Sequence, residues 1–271
     1  MKFSYLLAAL LIVSNCGSGS KDKDTLEQNK WYKPTPNTTW HWQLQGDINS
    51  DYNVSLYDID LFDSSKELIS SLKKSGKRVI CYFSAGTYEN WREDSSKYPD
   101  SVLGEKLDNW EGERWLDIRE IDILMPIIKA RLKLAKDKGF DGVEPDNVDG
   151  YANSSGFDLS YKEQIRFNKL IAKEAHNLNL AVALKNDLAQ IKELEPFFDF
   201  AINEQCHKYN ECDKLKPFIN NNKAVLNAEY DAIYIEDKTE QKELCKSSKV
   251  MNIRTLILPI ELDDSFRYSC N

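Results

Sequence analysis

Between residues 39 and 260, short apolar runs alternate with longer stretches in which apolar residues recur every three or four positions. The short runs predict strands: TWHWQLQ (39–45), VSLYDIDLF (54–62), KRVICYFSAG (77–86), RWLDIR (114–119) and GFDGVEPDN (139–147). LAVALKN (180–186), FFDFAINEQ (197–205), KAVLNAEY (223–230) and RTLILPI (254–260) complete the set. Between most of them lie stretches with a helical stripe: SKELISSLKKSG (65–76), LMPIIKARLKLAKDKG (124–139) and SYKEQIRFNKLIAKEAHNLN (160–179). Gly76 and Gly139 stand where helix C-caps are expected. Strand, helix, strand, repeated this often, predicts a parallel sheet closed into a single (β/α)8 barrel of α/β class. Nine strands are one too many, and residues 45 to 54 are too few for a crossover helix. One strand at an end is therefore expected to be an addition to the barrel.

Length agrees with this, since 271 residues with 41% hydrophobic content suit one such domain. The N-terminus does not belong to it. Lys2 followed by the apolar run Tyr5 to Val13 reads as a signal peptide over residues 1–15, too short to span a bilayer as a mature helix. Cys16, followed by Gly and Ser, resembles the acylated cysteine of a bacterial lipoprotein, although Asn15 departs from the small residue usual there. The expected organisation is thus signal peptide (1–15), lipidated flexible linker (16–37) and barrel domain (38–271). The protein is expected to be exported and lipid-anchored to a bacterial membrane or cell surface, with plain secretion as the alternative.

Export changes the reading of the cysteines, because disulfides persist outside the cytoplasm. Cys206 with Cys212, and Cys245 with Cys270, are the expected local staples, with other connectivities open. Cys81, inside an apolar strand, is the expected free thiol. With three histidines and no matching spacing, a zinc site is not expected, nor is any cofactor. A formal charge of −8 without basic stripes argues against nucleic acid and suits a neutral or cationic partner. A monomer is expected.

The candidate chemistry lies at the C-terminal ends of the strands. Gln43, Asp58, Asp60, Ser84, Asp117, Arg119, Glu144, Asp146, Asn147, Lys185, Asn186, Glu204, Gln205, Glu229 and Tyr230 fall there one strand after another. In a barrel these ends converge on one face, where active sites of this architecture are built. Such a carboxylate set suits cleavage of a glycosidic bond by an acid and a nucleophile or base, or an all-oxygen site for Mg²⁺ or Ca²⁺. Lys185 and Arg119 would partly neutralise the face without a metal. Trp40, Trp42, Tyr57, Tyr82, Tyr88, Trp91, Tyr151 and Tyr230 are available to stack on sugar rings or to pack the core.

The blocks WHWQLQG, YDID, VICYFSAGTYENWR, RWLDIR, GFDGVEPDNVDGY, VALKN, FAINEQC and VLNAEY together resemble glycoside hydrolase family 114, over residues 37 to 232. The resemblance implies a barrel endo-α-1,4-polygalactosaminidase acting on galactosamine polymers, partly or fully deacetylated. It implies Asp146 (of EPDN) and Glu204 (of NEQC) as the catalytic pair, the first as nucleophile and the second as general acid/base. Glu144 and Asp149 are rivals for the nucleophile. Glu144 and Asp146 are two apart and share a strand face. Asp58, Asp60, Asp117, Glu144, Asn147, Lys185, Asn186, Glu229 and Tyr230 are then substrate-binding candidates, with Asp60 and Asp117 as holders of a substrate ammonium. Glu204 is expected to have a raised pKa through burial against Phe200 or through neighbouring acids, and Asp146 to be kept ionised by Lys185. Retention of configuration is expected. The competing reading is a carbohydrate-binding lipoprotein on an inactive barrel.

Overall fold

The computed structural model describes residues 31 to 270. The signal segment, Cys16 and the first part of the linker lie outside the described residues. Eight parallel strands follow one another around a barrel: β1 (Trp40–Gln43), β2 (Leu56–Asp60), β3 (Arg78–Ser84), β4 (Gly142–Asp146), β5 (Ala181–Lys185), β6 (Phe200–Glu204), β7 (Val225–Glu229) and β8 (Arg254–Ile257). A two-residue strand, β9 (Tyr268–Ser269), adds antiparallel to β8. Side chain and loop close the seam between the last strands and the first. The Trp40 indole donates to the Arg254 carbonyl (3.0 Å) and the Leu44 amide to Leu262 O (2.9 Å).

Alternation along each strand divides the core in two. Trp40, Trp42, Leu56, Ile80, Ala181, Ala183, Phe200, Ile202, Leu226, Ala228 and Leu256 fill the barrel interior. The intervening residues, such as Tyr57, Ile59, Val143, Val182 and Val225, meet the outer helices. Small residues face large ones inside, and Gly142 shows why. A Cβ there would lie 2.8 Å from the Ala181 Cβ and 3.1 Å from Ile80 Cγ2, so any side chain would push β4 away from its neighbours. Each fully buried large side chain contributes about 1.5–3 kcal/mol.

Helices α1 (Lys66–Lys74), α2 (Ile121–Lys138) and α3 (Tyr161–Asn177) follow β2, β3 and β4, and α4 (Lys238–Met251) precedes β8. Their ends are set locally. Ser65 caps α1, Ser160 and Glu163 form a capping box on α3, and Gly139 ends α2 at φ 97°.

The ninth predicted strand is not an end strand. The first three residues of RWLDIR belong to Glu113–Leu116, the middle strand of a separate antiparallel sheet with Thr87–Glu89 and Leu103–Lys106, all inserted between β3 and α2. A half-buried strand reads the same whether its partner is parallel or antiparallel, so its pattern did not reveal the sheet it joins. The short β1–β2 connection is genuine and holds no helix. Gln43 organises it, donating to Gln45 O and Asp47 O and accepting from the Asn49 amide (2.9 to 3.0 Å).

Candidate active site

The interior alternation carries Asp58, Tyr82, Glu144, Asp146, Lys185, Glu204 and Tyr230 to the inner side of the barrel at the C-terminal ends of the strands. Lys185 is the hub. Its Nζ lies 3.3 Å from Glu144 Oε1, 3.2 Å from Asp146 Oδ1 and 3.3 Å from Glu204 Oε2, and 4.8 Å from the centre of the buried Trp42 ring. The Lys185 side chain is 2% exposed and that of Glu144 0%, whereas Asp146 and Glu204 keep 16% and 28%. Two carboxylates thus face the solvent side of one buried ammonium, with a third below it. Burial works against the charge on Lys185, but Asp146, Glu204 and Glu144 hold it well above its ordinary pKa.

Glu204 is the most tightly held of these acids. Tyr230 donates its hydroxyl to Oε1 (2.5 Å), Asn186 donates its side-chain amide to Oε2 (3.0 Å), and the Glu204 backbone amide donates back to Asn186 Oδ1 (2.9 Å). Burial raises its pKa, yet Lys185, Tyr230 and Asn186 together bring it below the ordinary carboxylate value. This reverses the expected elevation: donors and a cation outweigh desolvation in the free protein. The elevated groups lie elsewhere. Burial, partly countered by Lys185, pushes Glu144 up to about 7, and burial with the Asp146 charge pushes Asp149 up to about 6.

Asn147, Asn186 and Gln205, which directly follow Asp146, Lys185 and Glu204, all have left-handed backbones (φ 59°, 48° and 58°). The chain therefore leaves each of these strand ends by a sharp turn, a conformation that asparagine tolerates better than most residues. Asn147 then donates to Ser84 Oγ and Thr87 Oγ1 (both 3.1 Å), and Thr87 donates to Glu113 (2.8 Å). These contacts tie the inserted sheet to the strand carrying Asp146. Glu113 and Thr87 were not legible as site neighbours, because only the antiparallel insertion brings them there. Gly86 packs against the same turn, and a Cβ on it would collide with the Asn147 backbone.

Several predicted site residues lie elsewhere. Glu229 points out of the barrel, because its neighbours Ala228 and Tyr230 belong to the interior. It accepts from the His207 amide (2.9 Å) and Asn227 (3.0 Å). Asp60 is locked by Arg92 (2.6 and 3.1 Å) and by the amides of Phe62 and Asp63. Asp117 forms a two-pronged pair with Arg119 (both 2.7 Å) in the insertion. Neither Asp60 nor Asp117 is free to hold a substrate ammonium. Arg92 and Arg131, which the pattern did not single out, anchor the insertion through Asp60, Glu89 and Asp94. Cys206 and Cys212 flank His207 closely, but their sulfurs are bonded to each other, and Cys245 pairs with Cys270. Cys81 is buried and free.

A groove of about 1150 Å³, lined by Trp31, Lys169, His176, Phe197 and Lys223 among others, lies at the opposite end of the barrel. Its Asp199 precedes β6, whose other end carries Glu204 about 16 Å further along the strand. Among the described residues Asp199 is the only carboxylate lining it, and that is occupied by Trp31, His176 and the Val182 amide. The convergent titratable groups are therefore those of the Lys185 cluster and not of this groove.

The family model of glycoside-hydrolase family GH114 matches residues 21–271. The chain belongs to that family. This GH114 protein is a glycoside hydrolase, and its solved relatives agree in fold. Aspergillus fumigatus Ega3, crystallised in complex with galactosamine, is 38% identical, with a TM-score of 0.82 over 88% of this chain and 97% of that one. The glycoside hydrolase domain of PelA from Pseudomonas aeruginosa is 11% identical, with a TM-score of 0.65 over 84% of this chain and 96% of that one, a likeness of fold alone. An uncharacterized protein of Methanocaldococcus jannaschii is 31% identical over 156 residues, 51% of this chain and 45% of its own length. The GH114 chain thus spans less than half of that curated relative.

Proposed function

We propose that this GH114 hydrolase cleaves α-1,4-linked galactosamine polymers internally by a two-carboxylate mechanism, with Asp146 as nucleophile and Glu204 as general acid/base. The observation that carries the reading is the shared Lys185 ammonium, 3.2 Å from Asp146 and 3.3 Å from Glu204. It aligns two partly accessible carboxylates on one face of the barrel, with a cation against both. Glu144, fully buried beneath them, has no path to an anomeric carbon and is the weaker candidate.

In this mechanism Asp146 attacks the anomeric carbon while Glu204 delivers its proton to the departing glycosidic oxygen. Glu204 then takes a proton from the water that releases the sugar from Asp146. Because both carboxylates touch one nitrogen, the contacting oxygens are at most about 6.5 Å apart. That separation favours retention, which uses about 5–5.5 Å. Glu204 is held ionised in the free enzyme, so its proton arrives with substrate: a sugar ring covering the carboxyl removes water and raises its pKa.

Carboxylates outnumber cations at the site and the chain carries a net charge of −8, both of which favour an amino sugar bearing an ammonium. The galactosamine bound to the Aspergillus relative supports the same substrate class. Two disulfides suit an oxidising, extracytoplasmic setting, and lipid attachment at Cys16 of a monomeric enzyme completes the proposal. The test is digestion of purified α-1,4-galactosamine polymers of differing acetylation, with product masses measured. The expected result is a ladder of soluble oligosaccharides spaced by one hexosamine. Absence of soluble products from every such polymer would contradict the assignment.

A further inference from the structure

One layer deeper in the barrel than the reacting carboxylates, Asp58 on β2 meets Glu144 on β4, both completely buried. Neither Asp58 oxygen accepts a hydrogen bond from any other described residue, and the same holds for Glu144. Lys185 Nζ reaches Glu144 Oε1 at 3.3 Å, but without the alignment of a hydrogen bond. All four oxygens are thus buried without a donor; two ionised carboxylates are acceptors only and repel each other, and a proton on one of them would let the two share a hydrogen bond. The charged and titratable groups facing them are Asp60 on β2, Tyr82 on β3, Asp146 on β4, Lys185 on β5, Glu204 on β6 and Tyr230 on β7. Cys81 and Lys138 lie on the outer side. Among the described residues Lys185 is the cation that reaches the pair, and it already serves Asp146 and Glu204, while Arg92 is held by Asp60 and Glu89.

We propose that Asp58 and Glu144 hold one proton between them in the resting enzyme, and that this shared proton keeps Lys185 seated on Asp146 and Glu204. With one proton the pair carries a single negative charge, and the ammonium stays divided among its three partners. When that proton leaves, the pair carries two charges, and Lys185 is drawn down to Glu144, away from the reacting groups. Asp58 and Glu144 touch no substrate in this scheme; they are positioning residues that act through Lys185. Desolvation, reinforced by Glu144, raises the Asp58 pKa well above the carboxylate range, in keeping with a pair that retains its proton to neutrality. The inference rests on Asp146 and Glu204 being the reacting pair.

Two single variants test it, Asp58→Asn and Glu144→Gln. Each removes one of the two carboxyls, so the pair can never carry more than one negative charge. The expected result is an alkaline limb of kcat/KM displaced upward by about one pH unit or more in both, whatever the change in maximal rate. Infrared difference spectra of wild type against each variant at neutral pH give a second readout, independent of substrate. They should contain the C=O stretch of one protonated, buried carboxyl that both variants lack. An alkaline limb unmoved in both variants would overturn the positioning role and leave only packing. The absence of that C=O band from both difference spectra would overturn the shared proton. If wild type cleaves no galactosamine polymer, the substrate reading fails by itself, and the infrared experiment still decides the proton.

Discussion

Tyr230 donates its hydroxyl to Glu204 Oε1 at 2.5 Å, joining the residue after the end of β7 to the last residue of β6. The contact orients the carboxyl proposed as acid/base and lowers its proton affinity. Tyr230→Phe removes only the hydroxyl. We expect kcat to fall about 10-fold through lost orientation, and the pKa of Glu204 to rise. Carbon-13 NMR titration of the glutamate carboxyls should therefore show Glu204 titrating at higher pH in the variant than in wild type. A downward shift would mean that the hydroxyl serves some other group.

Stability should be greatest in mildly acidic solution. Burial raises Glu144 and Glu113 from 4.5 to about 7, Asp149 from 3.8 to about 6 and Asp187 from 3.8 to about 9. For a raised carboxylate, the folded state binds the proton more tightly than the unfolded state. Its contribution is complete below the unfolded pKa and is lost as pH rises through the folded one, here between about pH 4 and 9. His41, lowered to about 4 by burial, acts oppositely and loses stability as pH falls below about 6.5. The carboxylates outnumber it. Thermal melts should give a Tm lower by about 5 °C or more at pH 8 than at pH 5. A Tm that climbs over this interval would contradict the account.

The two disulfides should separate stability from activity. Cys245–Cys270 closes a loop of sequence separation 25 and Cys206–Cys212 one of 6. Loop entropy predicts losses of about 3.5 and about 2 kcal/mol for their respective Cys→Ser pairs. Activity should follow the reverse order, because Cys206 lies two residues after Glu204 and its loop carries the amide of His207 that Glu229 holds. Denaturant melts and initial rates on the same samples check both orders. Equal rates in the two variants would show that the smaller staple does not position Glu204.

Much of this was legible in the residues because alternation is a strong signal. Period two placed Glu144 and Asp146 on one face, and the position of Lys185 at a strand end brought it beside both. The same period assigns Glu229 to the outer face, once Ala228 and Tyr230 are known to point inward; the strand end alone did not say so. Asp60 and Asp117 show a second limit. Their partners Arg92 and Arg119 are 32 and 2 residues away, and only folded geometry tells a free carboxylate from one already paired. The pKa of Glu204 shows a third. Burial is visible in an apolar strand, but the three donors that outweigh it come from Lys185, Asn186 and Tyr230 at the ends of neighbouring strands.

The central claim, that Asp146 and Glu204 perform the cleavage, is tested most directly by the release rate of new reducing ends from an α-1,4-galactosamine polymer. Wild type, Asp146→Asn and Glu204→Gln would be compared, with folding of each verified by its melt. Both substitutions preserve shape and leave Lys185 in place, so the expected loss is about 1,000-fold or more in kcat for each. Release at the wild-type rate by either folded variant would contradict the account.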